Sequence, residues 1–381
     1  MQELKPEQRQ QGRAGEAGLA AAAVGPHGAD SRRSAGTALR ESRAVRLTAA
    51  TGVSEVSEPE RASAVTDVNE ASEPCRVSAA TGVSEASEPE RIPAPAAFLP
   101  PMPRVKLRLF ATGCCTHPEW VTLRGGSLRV VPIPALFALI EHPERGLILF
   151  DTGYASRFYS ETSRLPQALY RWVTPVLHST SQDAVRQLAE LGVKPDDVSV
   201  VVISHFHADH IAGLRDFPSA QLLYRQAAFD AVQPLRGLRA VRAAYLPGLL
   251  PDDFAARARP IDGAPAAQLP QLPFGPALDI LGDGSLLAVD LPGHAAGQIG
   301  LLLATDRGPR LLCADAAWSS AAFRENRPPH ALAGLIMPSR ADYRRSFAAL
   351  VQTHRAYPDL LILPSHCMEA RQRFVEGGEP L

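Results

Sequence analysis

Aromatic side chains are almost missing from the first quarter of this chain: of 13 Phe, 7 Tyr and 3 Trp, only Phe98 lies before position 103. A segment that poor in large apolar groups cannot bury enough surface to offset the entropy of ordering it, so residues 1–101 are expected to be disordered. Long apolar runs are missing as well. No stretch approaches the roughly 18 apolar residues a membrane span needs. Residues 18–24 are mostly Ala behind acidic Glu16, which makes no signal-peptide core. No membrane partner is therefore expected, and the cytoplasm is the expected location. Excess charge of one sign is also lacking, since 39 basic against 40 acidic residues leave no field to draw nucleic acid. Five Cys, an odd number in a long chain, do not make a disulfide framework and are expected to stay reduced.

What the first hundred residues do contain is repetition. Residues 46–90 hold three copies of a fifteen-residue unit starting at Arg46, Arg61 and Arg76, each ending in Ser-Glu-Pro and one further residue. Units that offer only Ala, Val and one Leu cannot stack as a solenoid does, so the segment is low-complexity linker. Strand-like alternation begins directly after Met102, in Val105-Lys106-Leu107-Arg108-Leu109-Phe110. The expected organisation is a dispensable extension over 1–101, with a start of translation at Met102 as the alternative, and one folded domain over 102–381. That length is ample for a single core.

From Val105 the pattern is α/β. Sheet-forming runs at 105–111, 128–140 and 147–150 are separated by turn signals at Gly125-Gly126, His142-Pro143 and Gly146. Residues 182–191 carry Ala184, Val185, Leu188 and Leu191 at helical spacing and stop at Gly192. A buried strand over 198–203, a strand over 221–224 and a helix from Gln226 follow. Further strands are expected over 285–291, 298–305, 310–313 and 359–363, with a helix over 341–355. Tyr154, Phe158, Tyr159, Tyr170 and Trp172 crowd one segment without a clean period, either as the wall of a pocket or as core. Arg236, Arg239 and Arg242 fall three apart and would share a helix face, either solvated or holding a carboxylate or phosphate. Residues 246–275, rich in Pro, Gly and Ala, are long for a connection and are expected to be an insertion on the substrate side.

The chemistry gathers at strand ends. Ser204-His205-Phe206-His207-Ala208-Asp209-His210 puts three imidazoles and a carboxylate within six positions at the end of the 198–203 run. Neutral imidazole and carboxylate suit zinc and similar divalent ions, and alternate residues leaving a strand can turn toward one point. A solvated His-rich turn is the alternative reading. It does not explain why His294, Asp315 and His366 follow, each at the end of its own apolar run. Asp151 ends an earlier run in Phe150-Asp151-Thr152-Gly153, where a plain turn aspartate is the other reading. Cys114, Cys115, Cys313 and Cys367 read as buried packing thiols. His117, His142, His178, His330 and His354 have no spacing partners and receive no role.

The ordered set His-x-His-x-Asp-His, His294, Asp315 and His366 resembles the signature of the metallo-β-lactamase fold superfamily over about residues 103–381. Within it, the five-ligand pattern with Asp315 and the opening Gly113-Cys114 are most similar to the N-acyl homoserine lactonase group. The resemblance implies an α/β fold, the four-layer αββα sandwich, with all ligands on loops at one edge. It implies two divalent ions, zinc in the first place with iron, manganese or cobalt also open. One ion would take His205, His207 and His294; the other would take Asp209, His210 and His366; Asp315 would bridge them, and Asp151 would hold His rings from behind. Water between the ions would become a hydroxide nucleophile for a small-molecule lactone, with Asp209 and Asp315 as catalytic carboxylates.

One position departs from the group. Its members carry a Tyr three residues after the bridging Asp that hydrogen-bonds the substrate, and this chain has Trp318 there. An indole N–H can donate a hydrogen bond but cannot supply a phenol's proton. An esterase or other acyl hydrolase therefore stands beside the lactonase reading, and a metal-bound protein without catalysis stands beside both.

Overall fold

The computed structural model describes residues 99–381. The expected extension and its repeats lie outside the described residues, apart from Leu99, Pro100 and Pro101. Leu99 and Met102 already pack against a core cluster.

Seven strands form the first sheet: β1 (Lys106–Pro118), β2 (Val130–His142), β3 (Gly146–Phe150), β4 (Val176–Leu177), β5 (Val198–Val202), β6 (Gln221–Tyr224) and β7 (Ala258–Pro260), in the order β4-β1-β2-β3-β5-β6-β7. Six form the second: β8 (Ala266–Ala267), β9 (Ala277–Asp279), β10 (Leu286–Asp290), β11 (Ile299–Thr305), β12 (Gly308–Ala314) and β13 (Leu361–Pro364), in the order β13-β12-β11-β10-β9-β8. Strands β3, β5 and β6 run parallel, as do β12 and β13, so their C-terminal ends emerge side by side.

Period-two side-chain alternation builds the layers. Leu136, Ala138 and Ile140 of β2 point into a cluster shared with Leu286 and Ala288 of β10 and Leu301 and Leu303 of β11, which is the seam between the two sheets. Phe137 and Leu139, one residue out of phase, face a different cluster with Phe158, Leu188 and Phe206. Behind the second sheet, Leu287, Leu302 and Leu311 pack on Phe347, Leu350 and Val351 of the helix Arg340–Ala356. Three buried layers between helices and two sheets make the αββα sandwich. A fully buried Leu or Phe contributes about 1.5–3 kcal/mol, so these layers outweigh local helix propensity.

The short helices were the least accurately foreseen. The helix expected over 182–191 is Ala184–Glu190 preceded by a 3-10 turn at Thr180–Gln182. The first strand runs on to Pro118, past the expected end at 111, through a register shift between Ala111 and Cys114. Residues 246–275 contain a short helix, Phe254–Arg257, with β7 and β8. Among the described residues no helix is long and apolar enough to cross a membrane.

Candidate metal centre

Parallel pairing of β3 with β5 brings Asp151 beside the start of the histidine motif: its N–H donates to the Val202 carbonyl at 2.9 Å. Its carboxylate is fully buried and spoken for. Oδ1 accepts the Ser204 N–H at 2.8 Å, and Oδ2 accepts the Ser204 hydroxyl and the His210 Nδ1–H, each at 2.7 Å. Ser204 Oγ in turn accepts the Nδ1–H of His205 at 2.9 Å. One carboxylate thus fixes two imidazoles with their Nδ1 protons turned away from the site and their Nε2 lone pairs turned into it. Both Nε2 atoms are buried and without a hydrogen-bond partner.

Asp151 holds φ +60°, and Ala314, just before Asp315, holds φ +47°. A left-handed backbone at a residue with a Cβ costs about 1–2 kcal/mol. At Asp151 the hydrogen bonds just described offset it. Gly153 (φ +66°) then passes so close to Thr112 that a Cβ would stand 2.0 Å from Oγ1. Thr112 Oγ1 accepts the Tyr154 N–H at 2.8 Å, which sets Tyr154 toward the site.

The second sheet delivers the remaining groups. His294 follows β10, Asp315 follows β12 and His366 follows β13. His366 Nδ1 donates to the Pro134 carbonyl at 2.7 Å, leaving Nε2 3.0 Å from Asp315 Oδ2 and 3.4 Å from Asp209 Oδ2. His294 Nε2 lies 3.1 Å from Asp315 Oδ2 and 2.9 Å from His207 Nδ1. His210 Nε2 lies 3.4 Å from Asp315 Oδ1. Two ligand groups result: His205, His207, His294 and Asp315, then Asp209, His210 and His366, with donor atoms within 4.8 Å of one another inside each group. Asp315 reaches into both.

The donor chemistry calls for cations. Burial holds the His205 and His207 imidazoles well below their ordinary pKa, with neighbouring imidazoles adding to the effect, so both are neutral ligands. Burial alone would also lower His210 and His366, but Asp315 and its neighbouring carboxylates overcome it. His210 rises well above the ordinary value and His366 rises to about 8. Asp315, despite its burial, is held well below the usual carboxylate range by His366, His210 and His294. Two buried carboxylates facing inward lone pairs are stable only with positive charge between them, supplied by protons or by divalent ions. The residues present fit divalent metal.

Above the cluster opens a cavity of about 370 Å³ whose floor includes His207, Asp209, His294, Asp315 and His366. Tyr154, Tyr170, Ile133, Val241 and Ile336 are among its walls. Trp318 lines it too. The Trp318 indole N–H is buried without a hydrogen-bond partner, and the buried Tyr154 hydroxyl interacts with that of Tyr170. Burial, with the Asp209 charge behind it, pushes the Tyr154 phenol well above 10, so it stays a protonated donor. Trp318 stands edge-on to the His294 ring, 5.7 Å between centroids.

A family model described as the metallo-beta-lactamase superfamily matches residues 131–366, from β2 to the last ligand. The chain belongs to that superfamily. Its members are hydrolytic, and so is this enzyme. It is 32% identical over 239 residues to a protein of Mycobacterium tuberculosis named as a probable metallo-hydrolase, covering 60% of this chain and 73% of the relative. It is 28% identical over 293 residues to the N-acyl homoserine lactonase AttM of Rhizobium radiobacter, covering 73% of this chain and 99% of the relative. Among solved structures, an N-acyl homoserine lactone hydrolase holding N-hexanoyl-L-homoserine at its catalytic metal centre superposes with a TM-score of 0.55. The identity is 19%, with 74% of this chain and all of that chain covered, which shows the shared fold.

All seven expected ligands of this metallo-beta-lactamase superfamily chain converge, with Asp151 behind them. The aromatic segment divides between the two readings offered for it: Tyr154 and Tyr170 line the cavity, Phe158 is core and Trp172 is exposed. Arg236 does not share the face of Arg239 and Arg242. It precedes the helix Gly237–Arg242 and bonds the Gln233 and Leu235 carbonyls. His117, given no role, is a cavity residue. Ser204 and the Pro134 carbonyl were missed; Ser204 was legible as the residue that follows the buried strand, whereas Pro134 carries no signal because only its backbone acts.

Proposed function

We propose that this enzyme is a dinuclear metal-dependent hydrolase that opens the ester bond of a small-molecule lactone. The observation that carries it is the pair of ligand groups joined by Asp315 at the floor of an apolar cavity, with the Nε2 atoms of His205 and His210 left unpaired. His205, His207 and His294 would hold one ion, Asp209, His210 and His366 the other, and Asp315 both. Zinc is the first candidate, with iron, manganese and cobalt as alternatives. Bound there, the ions would acidify a water to serve as nucleophile near neutral pH and polarise the carbonyl under attack.

The chain's own residues do the rest. Asp151 and the Pro134 carbonyl keep the imidazoles in the tautomer that presents Nε2. Ile133, Tyr170 and Val241 give an acyl group an apolar seat and keep bulk water off the floor. Tyr154 and Trp318 offer two neutral N–H and O–H donors to the substrate carbonyl or leaving oxygen. The likeness to proteins named N-acyl homoserine lactonases, one along 99% of its length, supports the lactone. Trp318 supports a second reading, an ester or other acyl substrate whose leaving oxygen needs no phenol at that position.

The test is metal-dependent proton release from a panel of acyl homoserine lactones and simple aryl esters, with Asp315→Ala as control. Lactone turnover that vanishes in the control is the expected result. Ester turnover with silence on every lactone would install the second reading. Silence on both with metal bound would leave a non-catalytic metal protein.

A further inference from the structure

The cavity over the metal cluster does not end at its apolar wall. Along His207, Arg242 and Ile336 it adjoins a second hollow of about 380 Å³, which Arg239, Ala228 and Met337 also line. Arg239 and Arg242 stand three apart on the helix Gly237–Arg242, on one face. Both are exposed. Neither side chain forms an ion pair or hydrogen bond with a described residue, whereas arginines on neighbouring elements hold aspartates: Arg215 with Asp252, Arg225 with Asp262, Arg257 with Asp253. Among the described residues no acidic side chain lines the second hollow, and those lining the first are Asp209 and Asp315 of the cluster. A helix C-terminus favours cations in general. It does not account for two unpaired guanidinium groups lining a hollow that opens beside the reaction floor.

We propose that Arg239 and Arg242 form an anion subsite, and that the substrate carries a carboxylate or phosphate-type oxyanion on its acyl side, remote from the bond that is cut. This rests on the hydrolase reading above and narrows its substrate class. The scissile carbonyl would lie at the His/Asp floor, the carbon chain along Tyr170 and Val241, and the anion beyond Arg242. The planar guanidinium fork matches either oxyanion in a two-point hydrogen bond.

The experiment compares three aryl esters on the metal-loaded full chain: mono-4-nitrophenyl adipate, its ω-phosphonate counterpart, and the neutral methyl ester of the adipate. The expected result is a kcat/KM about tenfold or more higher for an anionic ester than for the neutral one, carried by KM and weakened by added salt. The two anionic arms tell carboxylate from phosphonate. In the Arg239→Gln/Arg242→Gln double variant the preference falls to about one, and the Arg239→Lys/Arg242→Lys variant recovers part of it. A readout independent of turnover is ligand-observed NMR titration of monomethyl adipate into the metal-free protein, where the Gln variant should bind about tenfold more weakly. A wild-type ratio of one or below, or a preference that survives the Gln variant, overturns the subsite. Failure of the hydrolase reading looks different: none of the three esters is cut by metal-loaded protein.

Discussion

The Oδ2 atom of Asp151 lies 2.7 Å from Nδ1 of His210, and the same oxygen takes the Ser204 hydroxyl that orients His205. A carboxylate that touches no substrate therefore decides which nitrogen two ligands present. Asp151→Asn keeps the size but loses one acceptor oxygen, so one ring is freed to rotate or to change tautomer. Loss of such support costs about 10–100-fold in metal affinity. Competition against a zinc-binding dye, wild type beside variant, measures it; equal affinity would show that Asp151 is only a turn residue.

Metal uptake should depend on pH in one direction. In the metal-free site His366 is raised to about 8 by burial being overcome by Asp315 and Asp209, so below that pH the ring carries a proton that a metal must displace. Apparent affinity should rise by up to about tenfold per pH unit for each proton released as pH climbs from about 6.5 through 8, with His210, also raised, adding to the slope. Dye competition at pH 6.5, 7.5 and 8.5 gives the slope, and a flat profile would contradict a protonated His366. Extended dialysis against chelator should abolish turnover and lower Tm, and elemental analysis after reloading should find two ions per chain.

Trp318 and Tyr154 make separable predictions. Trp318→Tyr should raise lactone turnover several-fold if the missing phenol limits the rate, and leave KM nearly unchanged. Tyr154→Phe removes a buried hydroxyl that interacts with Tyr170, so a stability loss of about 0.5–1.5 kcal/mol is expected while kcat falls by about 10–100-fold. Steady-state kinetics with urea denaturation of each variant checks both. A Tyr154→Phe enzyme of unchanged kcat would mean that the phenol is wall and nothing more.

Gly293 holds φ +126°, and a Cβ there would meet the Tyr343 backbone N at 2.0 Å. Gly293→Ala should therefore push His294 away from the long helix that starts at Arg340. The expected cost is about 1–3 kcal/mol of stability together with weaker metal binding. Leu350→Ala, in the same buried layer but two turns along the helix from Tyr343, should cost about 2–5 kcal/mol and leave metal affinity intact. Urea midpoints and metal titrations on the two variants separate strain at the site from loss of core.

Thiol labelling should be uneven. Burial pushes the Cys115 and Cys313 thiols far above their ordinary range, with the Asp209 and Asp315 charges opposing thiolate in addition. In the folded protein at pH 8 both should resist iodoacetamide, and both should label after denaturation. Peptide mass mapping gives the answer, and fast labelling of Cys313 in the native state would contradict its burial.

The ligands were legible because each metal ligand is a side chain with distinctive chemistry placed where an apolar run stops. His205, His294 and His366 follow Ile203, Leu291 and Leu363 closely, and a strand that ends at a sheet edge leaves its next residues at that edge. The sandwich was legible only through the family resemblance carried by the ordered ligands: the runs Leu136 to Ile140 and Leu286 to Val289 are apolar throughout, so they announce buried strands without saying which side chain faces which layer. Other parts carry no such mark. The bond from His366 to the Pro134 carbonyl depends on backbone direction across 232 residues. The cavity walls draw Val241, Leu332 and Ile336 from loops and short helices whose positions follow from packing against the finished sheets. Arg242 read either as a solvated cation or as a holder of a carboxylate or phosphate, and only the fold puts it in the lining of the same hollow as His207.

The two ligand groups draw on both halves of the sandwich, the histidine motif from the first sheet and His294, Asp315 and His366 from the second. An ion bound there would act as a mechanical clasp, fastening the open edges of two sheets whose seam is otherwise mostly apolar, with a few hydrogen bonds such as Ile299 N–H to the Ser204 carbonyl across it. Pulling the chain apart would then require the clasp to break before the seam could slide, so loaded and empty protein should part at different forces even where their equilibrium stabilities are close. The same atoms that arm the site would set how long the folded chain survives strain.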